Sequence, residues 1–267
     1  MQARREVSDN VETASRLVAE AAGRGAELIV LPEKWPVFGG RDELWPAAES
    51  VDGPIMDEVA GWARSHGVGL VAGSFSERIE GDERVHNTSV VFDREGRRIA
   101  AYRKLHLFDV DVGGRRVRES DSDAPGDRPV MAQVAGLSVG LAVCYDLRFG
   151  ELFRLYAQQG ADLVTLPSAF AERTGRDHWE VLIRARAIEN LIYVAAADQW
   201  GRLAGGHVAY GRSLIVDPWG TVVAQAPDGE CVIVADCEHA TLERVRRELP
   251  TLAHVRPEAY RDLEHAR

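Results

Sequence analysis

Residues 137–166 read LSVGLAVCYDLRFGELFRLYAQQGADLVTL. An apolar run of strand length, Leu137–Val143, ends on a thiol, Cys144. An amphipathic stretch from Phe149 to Gln159 follows and is stopped by Gly160, and a second apolar run occupies Leu163–Leu166. A strand, a helix and a strand in immediate succession are the pattern of an α/β protein. A thiol at the strand-to-helix junction is pushed out of the sheet and toward a helix N-terminus, where the helix dipole favours the thiolate.

The same alternation extends in both directions. Toward the C-terminus the pattern predicts a helix over Asp177–Asn190 and strands over Ile192–Ala197, Leu214–Val216, Thr221–Ala224 and Val232–Ala235. Asp217-Pro218-Trp219-Gly220 is a hairpin turn. A last helix, Leu242–Leu249, is closed by Pro250. Toward the N-terminus, strands are expected at Val130–Val134, Ile99–Leu107, Thr88–Asp93 and Val68–Ser74, a helix at Ile55–His66 with Gly67 as its stop, and a buried strand at Leu28–Leu31. Asp9 and Glu12 suggest a capping box that opens a helix whose apolar face is Val11, Ala14, Leu17, Val18 and Ala21. Residues 109–127, rich in charge and glycine, are expected to form a long loop, and such loops in compact domains are usually functional. With no repeat, linker or break in composition, residues 1–267 are expected to form one domain of two packed sheets with helices outside. Residues 251–267 hold too few apolar side chains to fold alone.

Composition narrows the class of function. Apolar residues make up 45% and charged residues 28%, an ordinary globular balance. A net charge of −10 argues against nucleic acid or an anionic membrane surface as the main partner. The cysteines Cys144, Cys231 and Cys237 give no disulfide framework and suit a reducing compartment. The chain holds no 18-residue apolar run, and Met1–Asn10 lacks the apolar stretch of a signal peptide, so a cytoplasmic location is expected.

Three residues stand where chemistry is built. Cys144 ends its strand; a free cysteine is also a common small core residue, so position alone leaves both readings open. Glu33 ends the run Leu28–Pro32, where apolar walls raise a carboxylate's proton affinity, although a helix cap or a solvated loop acid would read the same. Lys104, in the strand-like run Tyr102–Leu107 with Leu105 and Leu107 on the opposite face, serves either an oxyanion or an exposed sheet edge. Together they supply a nucleophile, a base and a cation, which is what nucleophilic catalysis requires. The histidines show no HExxH or paired-ligand spacing, and no P-loop, dinucleotide fingerprint or Gly-x-Ser-x-Gly is present. No metal and no organic cofactor are therefore expected.

With Glu33 in LIVLPEKW, Lys104 in YRKLHLFD, Cys144 in VGLAVCYDLRF, LPSAF at Leu166–Phe170, HWEVLIRARAIEN at His178–Asn190 and GRSLIVDPWG at Gly211–Gly220, the chain resembles the nitrilase superfamily of carbon–nitrogen hydrolases over nearly its whole length. The resemblance implies a four-layer αββα sandwich of two mixed sheets with helices on the outer faces, and a Glu33–Lys104–Cys144 triad. It implies that Cys144 attacks an amide carbonyl, Glu33 shuttles the proton, and Lys104 with the Tyr145 backbone N–H holds the oxyanion. Glu119 matches the family's second glutamate, which positions substrate. The chain looks nearest to the branch holding omega-amidase and deaminated glutathione amidase, whose small substrates carry carboxylates. Arg148 and Arg173 are the candidate carboxylate contacts, unless Arg148 pairs with Asp146 and Arg173 is merely solvated. Tyr145 and Phe170 are further substrate-contact candidates.

The same triad would serve a nitrile or an N-carbamoyl substrate, and a non-catalytic interaction protein keeping the fold is the reading of another class. A homodimer or higher homo-oligomer is expected by resemblance, with residues 251–267 reaching a neighbour. One departure stands out: members of the family normally begin with an apolar strand, which is missing here, so the expected start lies upstream of Met1.

Overall fold

The computed structural model describes residues 1–112 and 114–259. Helix α1 (Val7–Gly23) turns its apolar stripe, Ala14, Leu17, Val18 and Ala21, inward. It starts two residues before the expected Asp9. The helix entry is pinned by the buried Asn10 side chain, which bonds both backbone groups of Arg4 and the Pro36 carbonyl. Strand β1 (Leu28–Val30), the short helices α2 (Arg41–Leu44) and α3 (Pro54–His66), and strands β2 (Gly69–Val71), β3 (Phe75–Arg78), β4 (Val85–Phe92) and β5 (Arg98–Arg103) follow. Gly67 ends α3 at φ 65°, a left-handed stop that glycine adopts without strain.

The segment 109–127 is not the open loop its composition suggests. It folds into a hairpin of β6 (Asp109–Val112) and β7 (Arg115–Arg118), a 3₁₀ turn (Glu119–Asp121) and β8 (Asp123–Ala124), which pairs parallel to β4. The first sheet has the order β1-β2-β4-β3, with β5 and β8 also paired to β4. The second sheet comprises β9 (Met131–Val134), β10 (Leu137–Leu141), β11 (Leu163–Ser168), β12 (Tyr193–Asp198), β15 (Leu214–Val216) and β16 (Val222–Gln225), in the order β16-β15-β12-β11-β10-β9. A small separate hairpin, β13 (Trp200–Arg202) with β14 (Val208–Tyr210), lies in the chain between β12 and β15. Helix α4 (Gly150–Gln158) joins β10 to β11, α5 (Glu172–Asn190) joins β11 to β12, and α6 (His239–Glu248) closes the chain. Parallel pairing of β10 with β11 and of β11 with β12 requires such crossovers, and they lay α4 and α5 on one face of the sheet.

Three apolar layers result. Helices α1 and α3 bury Val18, Val59 and Ala63 on the first sheet. The two sheets meet through Val71, Val91, Tyr102, Val139, Leu141 and Val143. Helices α4 and α5 bury Phe153, Trp179 and Ile183 on the second sheet. The stack is the αββα sandwich that the resemblance implies. Of the expected tail, 251–267, the turn Thr251–His254 seats Leu252 against the α4/α5 layer, while residues 260–267 lie outside the described residues.

The edge at β1 departs from the sequence reading. Residues 1–6 form no strand; the Met1 carbonyl accepts Trp200 N–H at 3.2 Å, and Ala3 N–H donates to Gln199 Oε1 at 2.6 Å. The expected strand Val232–Ala235 forms no strand among the described residues, because a strand needs a neighbour to bond and none reaches it. Instead the Arg24 guanidinium donates to the Val232 carbonyl. A cavity of about 150 Å³, lined by Ile29, Leu31, Ala196, Cys231 and Val232, separates it from β1. No helix among the described residues is long and apolar enough to cross a membrane.

Candidate active site

Beyond β1, Leu31 N–H still bonds the Val71 carbonyl; Pro32, which has no N–H to donate, ends the pairing, and Glu33 follows and lines a pocket. Gly73 makes this approach possible: at φ 64° it lies so close that a Cβ would sit 2.1 Å from the Pro32 carbonyl oxygen. The Glu33 side chain is buried, at 4% exposure. Its Oε1 accepts Asn87 Nδ2 at 2.8 Å and Lys104 Nζ at 3.1 Å, and its Oε2 accepts Ala169 N–H at 2.8 Å.

Lys104 is not on a strand, as the pattern suggested, but is the first residue beyond β5; its own N–H donates to the Asn87 carbonyl at 2.9 Å. Leaving the strand there turns its ammonium inward, at 2% exposure, among carboxylates. Besides Glu33 it donates to Glu119 Oε1 at 2.9 Å and Oε2 at 2.8 Å. Glu119, in the 3₁₀ turn, is fixed further by Phe108 N–H at 2.6 Å.

Cys144 follows β10 and begins a 3₁₀ turn, Cys144–Arg148, with φ 48°. A left-handed conformation is unfavourable for a residue with a side chain and persists only where its surroundings impose it. Here the brace is Asp146, fully buried, which accepts Val143 N–H at 2.8 Å, Tyr102 O–H at 2.7 Å, and His106 N–H and Nδ1 at 3.1 and 2.7 Å. Asp146 therefore ties the nucleophile's turn to the end of β5, from which Lys104 departs. The sequence reading assigns Tyr102, Asn87 and Asp146 no part in the site; an internal polar residue in an apolar run is the only trace that sequence offers of their roles.

The charges act on one another strongly. Burial pushes the Cys144 thiol well above its ordinary range, and the Glu33 anion, hydrogen-bonded to it, pushes the same way, while Lys104 pulls back less. The resting group is a neutral thiol, which corrects the expectation that a helix dipole would favour the thiolate; desolvation outweighs the short turn's dipole. Burial opposes the Lys104 charge, yet Glu119 and Glu33 outweigh it and hold the ammonium well above its usual range. Burial likewise opposes ionised Glu119, but Lys104 and Lys34 hold it below the usual carboxylate range. A neutral thiol beside a carboxylate can hand over its proton as it attacks, and an adjacent ammonium can receive the developing oxyanion.

These groups lie at the base of a pocket of about 580 Å³. Its walls include Phe38, Phe108, Tyr145 and Phe170, and cations line it at Arg118, Arg148 and Arg173. Arg148 does not pair with Asp146, whose oxygens are taken by other donors. Its guanidinium stands 5.2 Å from the Phe170 ring and 5.8 Å from the Tyr145 ring, with His178 Nδ1 3.3 Å away. Arg173, in the first turn of α5, is exposed and has no carboxylate partner among the described residues. Among the described residues, no cluster of three His, Cys, Asp or Glu side chains is arranged to hold a metal ion.

Residues 1–247 match the model of the carbon-nitrogen hydrolase family. The chain is 43% identical over 265 residues to human deaminated glutathione amidase, covering 96% of this chain and 80% of that protein. It is 38% identical over 254 residues to an omega-amidase of Xenopus tropicalis, covering 95% and 91% respectively. Among solved structures, Saccharomyces cerevisiae Nit3, a member of branch 10 of the nitrilase superfamily, superposes with a TM-score of 0.85 at 30% identity, covering 93% of this chain and 91% of that one.

Proposed function

Since the chain belongs to the carbon–nitrogen hydrolase family, in the omega-amidase branch of the nitrilase superfamily, and is an amidase, we propose that it cleaves small linear amides bearing a distal carboxylate, through a thioester on Cys144. The observation that carries this reading is the pairing of two features in one pocket. Glu33, Lys104, Glu119 and Cys144 line it together, and Arg148 and Arg173 line it too, without carboxylate partners among the described residues.

In the proposed sequence, the Cys144 sulfur attacks the amide carbonyl while the thiol proton passes to Glu33. The oxyanion is received by Lys104 and by the backbone N–H of Tyr145, the first after the nucleophile. Glu33 returns the proton to the leaving nitrogen and ammonia departs, leaving an acyl thioester. A water then gives its proton to Glu33 and attacks the thioester; the acid leaves and the thiol is restored. Glu119 holds Lys104 in place and lines the same pocket as the nucleophile, where it orients the amide group.

The substrate class is tested by ammonia release from α-ketoglutaramate, deaminated glutathione, an N-carbamoyl amino acid and a simple nitrile, with Cys144→Ala as control. Release from one of the first two, absent in the variant, is expected. Faster turnover of the nitrile or the carbamoyl compound would overturn it.

We propose as well that the chain works as one unit in a cytoplasmic homo-oligomer. Unpaired cysteines support that compartment, and exposed apolar side chains near α5, Val181 at 67% and Trp219 at 55% exposure, support a covered face. A monomer in analytical ultracentrifugation, or recovery in a secreted fraction, would contradict these two statements.

A further inference from the structure

Lys34 follows the proton-carrying glutamate directly, yet nothing in the mechanism so far uses it. Its side chain is only 6% exposed, and its Nζ lies 2.6 Å from Asp123 Oδ1 and 3.9 Å from Glu119 Oε1. Asp123 is wholly buried, and its second oxygen accepts the Ser122 hydroxyl at 2.6 Å. The Lys34 backbone sits at φ 45°, in the left-handed region, with its N–H held by Ser74 Oγ at 3.0 Å. Burying a lysine–aspartate pair adds little to stability, because desolvation offsets the attraction, and the left-handed backbone adds a cost. Strain and burial together at the residue after the general base point to a task in the site.

Glu119 sits between two ammonium groups, Lys104 at 2.8 and 2.9 Å and Lys34 at 3.9 Å. The row therefore runs Asp123, Lys34, Glu119, Lys104, Glu33. Two carboxylates flank Lys104, and the thiol proton must go to Glu33 rather than Glu119. If Glu119 took that proton, Lys104 would lose its anchor as the oxyanion forms beside it. We propose that Lys34 is a positioning residue for the amide hydrolysis: held by Asp123, its ammonium keeps Glu119 as the charged, fixed partner of Lys104 and leaves Glu33 to receive the thiol proton. The proposal rests on the amidase reading of this site.

Other charged or titratable groups near this row are Cys144 in the same pocket, Arg118 immediately before Glu119, and His86 of β4, which is bonded to the Ala124 carbonyl beside Asp123 at 2.9 Å. None of them reproduces the effect of removing Lys34 or Asp123, because those two act on Glu119 with opposite sign. Loss of the cation makes Glu119 easier to protonate, so the acidic limb of kcat/KM moves to higher pH. Loss of the Asp123 anion, with Lys34 kept, moves it to lower pH.

The experiment is the pH profile of kcat/KM for Lys34→Met, Lys34→Arg, Asp123→Asn and the double variant Lys34→Met/Asp123→Asn, using the amide that the wild type hydrolyses fastest. An opposite charge at this range shifts a carboxylate by about 1–3 units, and Asp123 already offsets part of the Lys34 charge. The expected result is an acidic limb raised by about one pH unit in Lys34→Met, lowered in Asp123→Asn, and near the wild type in the double and Lys34→Arg variants. On the acidic limb, at one fixed pH, Lys34→Met should lose about tenfold in kcat with KM little changed, and the loss should vanish on the plateau. A lower thermal midpoint with no movement of the limb would make the pair structural and overturn the proposal, as would movement of both single variants in the same direction. Should Lys34→Met not fold, Asp123→Asn and the double variant carry the sign. A substrate-free arm, NMR titration of ¹³C-labelled glutamate carboxylates with Glu119→Gln for assignment, reads the same shifts directly. If the wild type hydrolyses no amide, the substrate reading fails, while the titration still decides the role of Lys34.

Discussion

Replacing Tyr102 by Phe removes one hydroxyl and leaves the packing between the sheets intact. In the native protein that hydroxyl donates to Asp146 Oδ2 at 2.7 Å and accepts Leu105 N–H at 3.3 Å, wholly out of solvent. Burial, and then the Asp146 charge, push the phenol's proton affinity well above its ordinary range, so it remains a donor at every working pH. A hydrogen bond to a buried charged group contributes about 1.5–3 kcal/mol. For a chain of this size, about 2–4 °C of melting temperature accompanies each kcal/mol, so the variant should melt about 3–12 °C lower. Urea unfolding at unchanged m should give the same figure as a shift of midpoint. Because Asp146 also holds Val143 N–H, the Cys144 turn loosens, and small displacements of a nucleophile cost on the order of ten- to a hundredfold in kcat. An unchanged urea midpoint would refute the bond. A lower midpoint with unchanged kcat would keep the bond but refute the link from β5 to the nucleophile's turn.

Three further outcomes are expected. Iodoacetamide should alkylate Cys144 at a rate that climbs with pH and reaches no plateau below about pH 9, since the thiol lies above its ordinary range of about 8.5; a plateau near neutrality, followed by peptide mapping, would contradict it. Glu77 is buried and burial works against its charge, but the bonds from Arg103 at 2.6 and 2.8 Å and from Thr88 at 2.7 Å hold its carboxyl below the usual range. Its stabilisation is thus present above the unfolded value and lost as pH falls through the folded one, so Glu77→Gln should lower the urea midpoint at pH 7 and narrow that difference in acid. Arg148→Ala should raise KM about tenfold or more for a carboxylate-bearing amide, while leaving a neutral amide such as propionamide nearly unaffected; equal losses on both would show that the guanidinium only packs on Phe170 and Tyr145.

The layers of the sandwich were readable because they are set by local periodicity: the apolar stripe of α1, the run into Glu33, the stop at Gly67 and the strand into Cys144 each act over a few neighbouring residues. What sequence concealed depends on distant partners. Val232–Ala235 has the composition of a strand but no neighbour to bond. The hairpin at 109–118 does carry a short alternation, Asp109-Val110-Asp111-Val112, but the glycine pair and the charges around it read as loop, and its valines at 110 and 117 face the pocket rather than a core. Lys104 looked like a strand residue because Leu105 and Leu107 continue the alternation, whereas the Tyr102 hydroxyl and Asp146 draw the next two backbone N–H groups, of Leu105 and His106, away from β4. The nucleophile's charge state is also a property of the assembled site, since burial beside Glu33 overrides the dipole of a single 3₁₀ turn.

The claim on which the account stands is that hydrolysis passes through an acyl thioester on Cys144. Intact-mass spectrometry of the native enzyme, acid-quenched during turnover of an amide substrate, tests it. Acid halts hydrolysis of the thioester before water has released it. The account predicts a mass increase equal to the substrate less ammonia, mapped to the peptide holding Cys144 and absent from Cys144→Ala. Acid produced by Cys144→Ala enzyme, or an adduct on Cys231 or Cys237 instead, would contradict it.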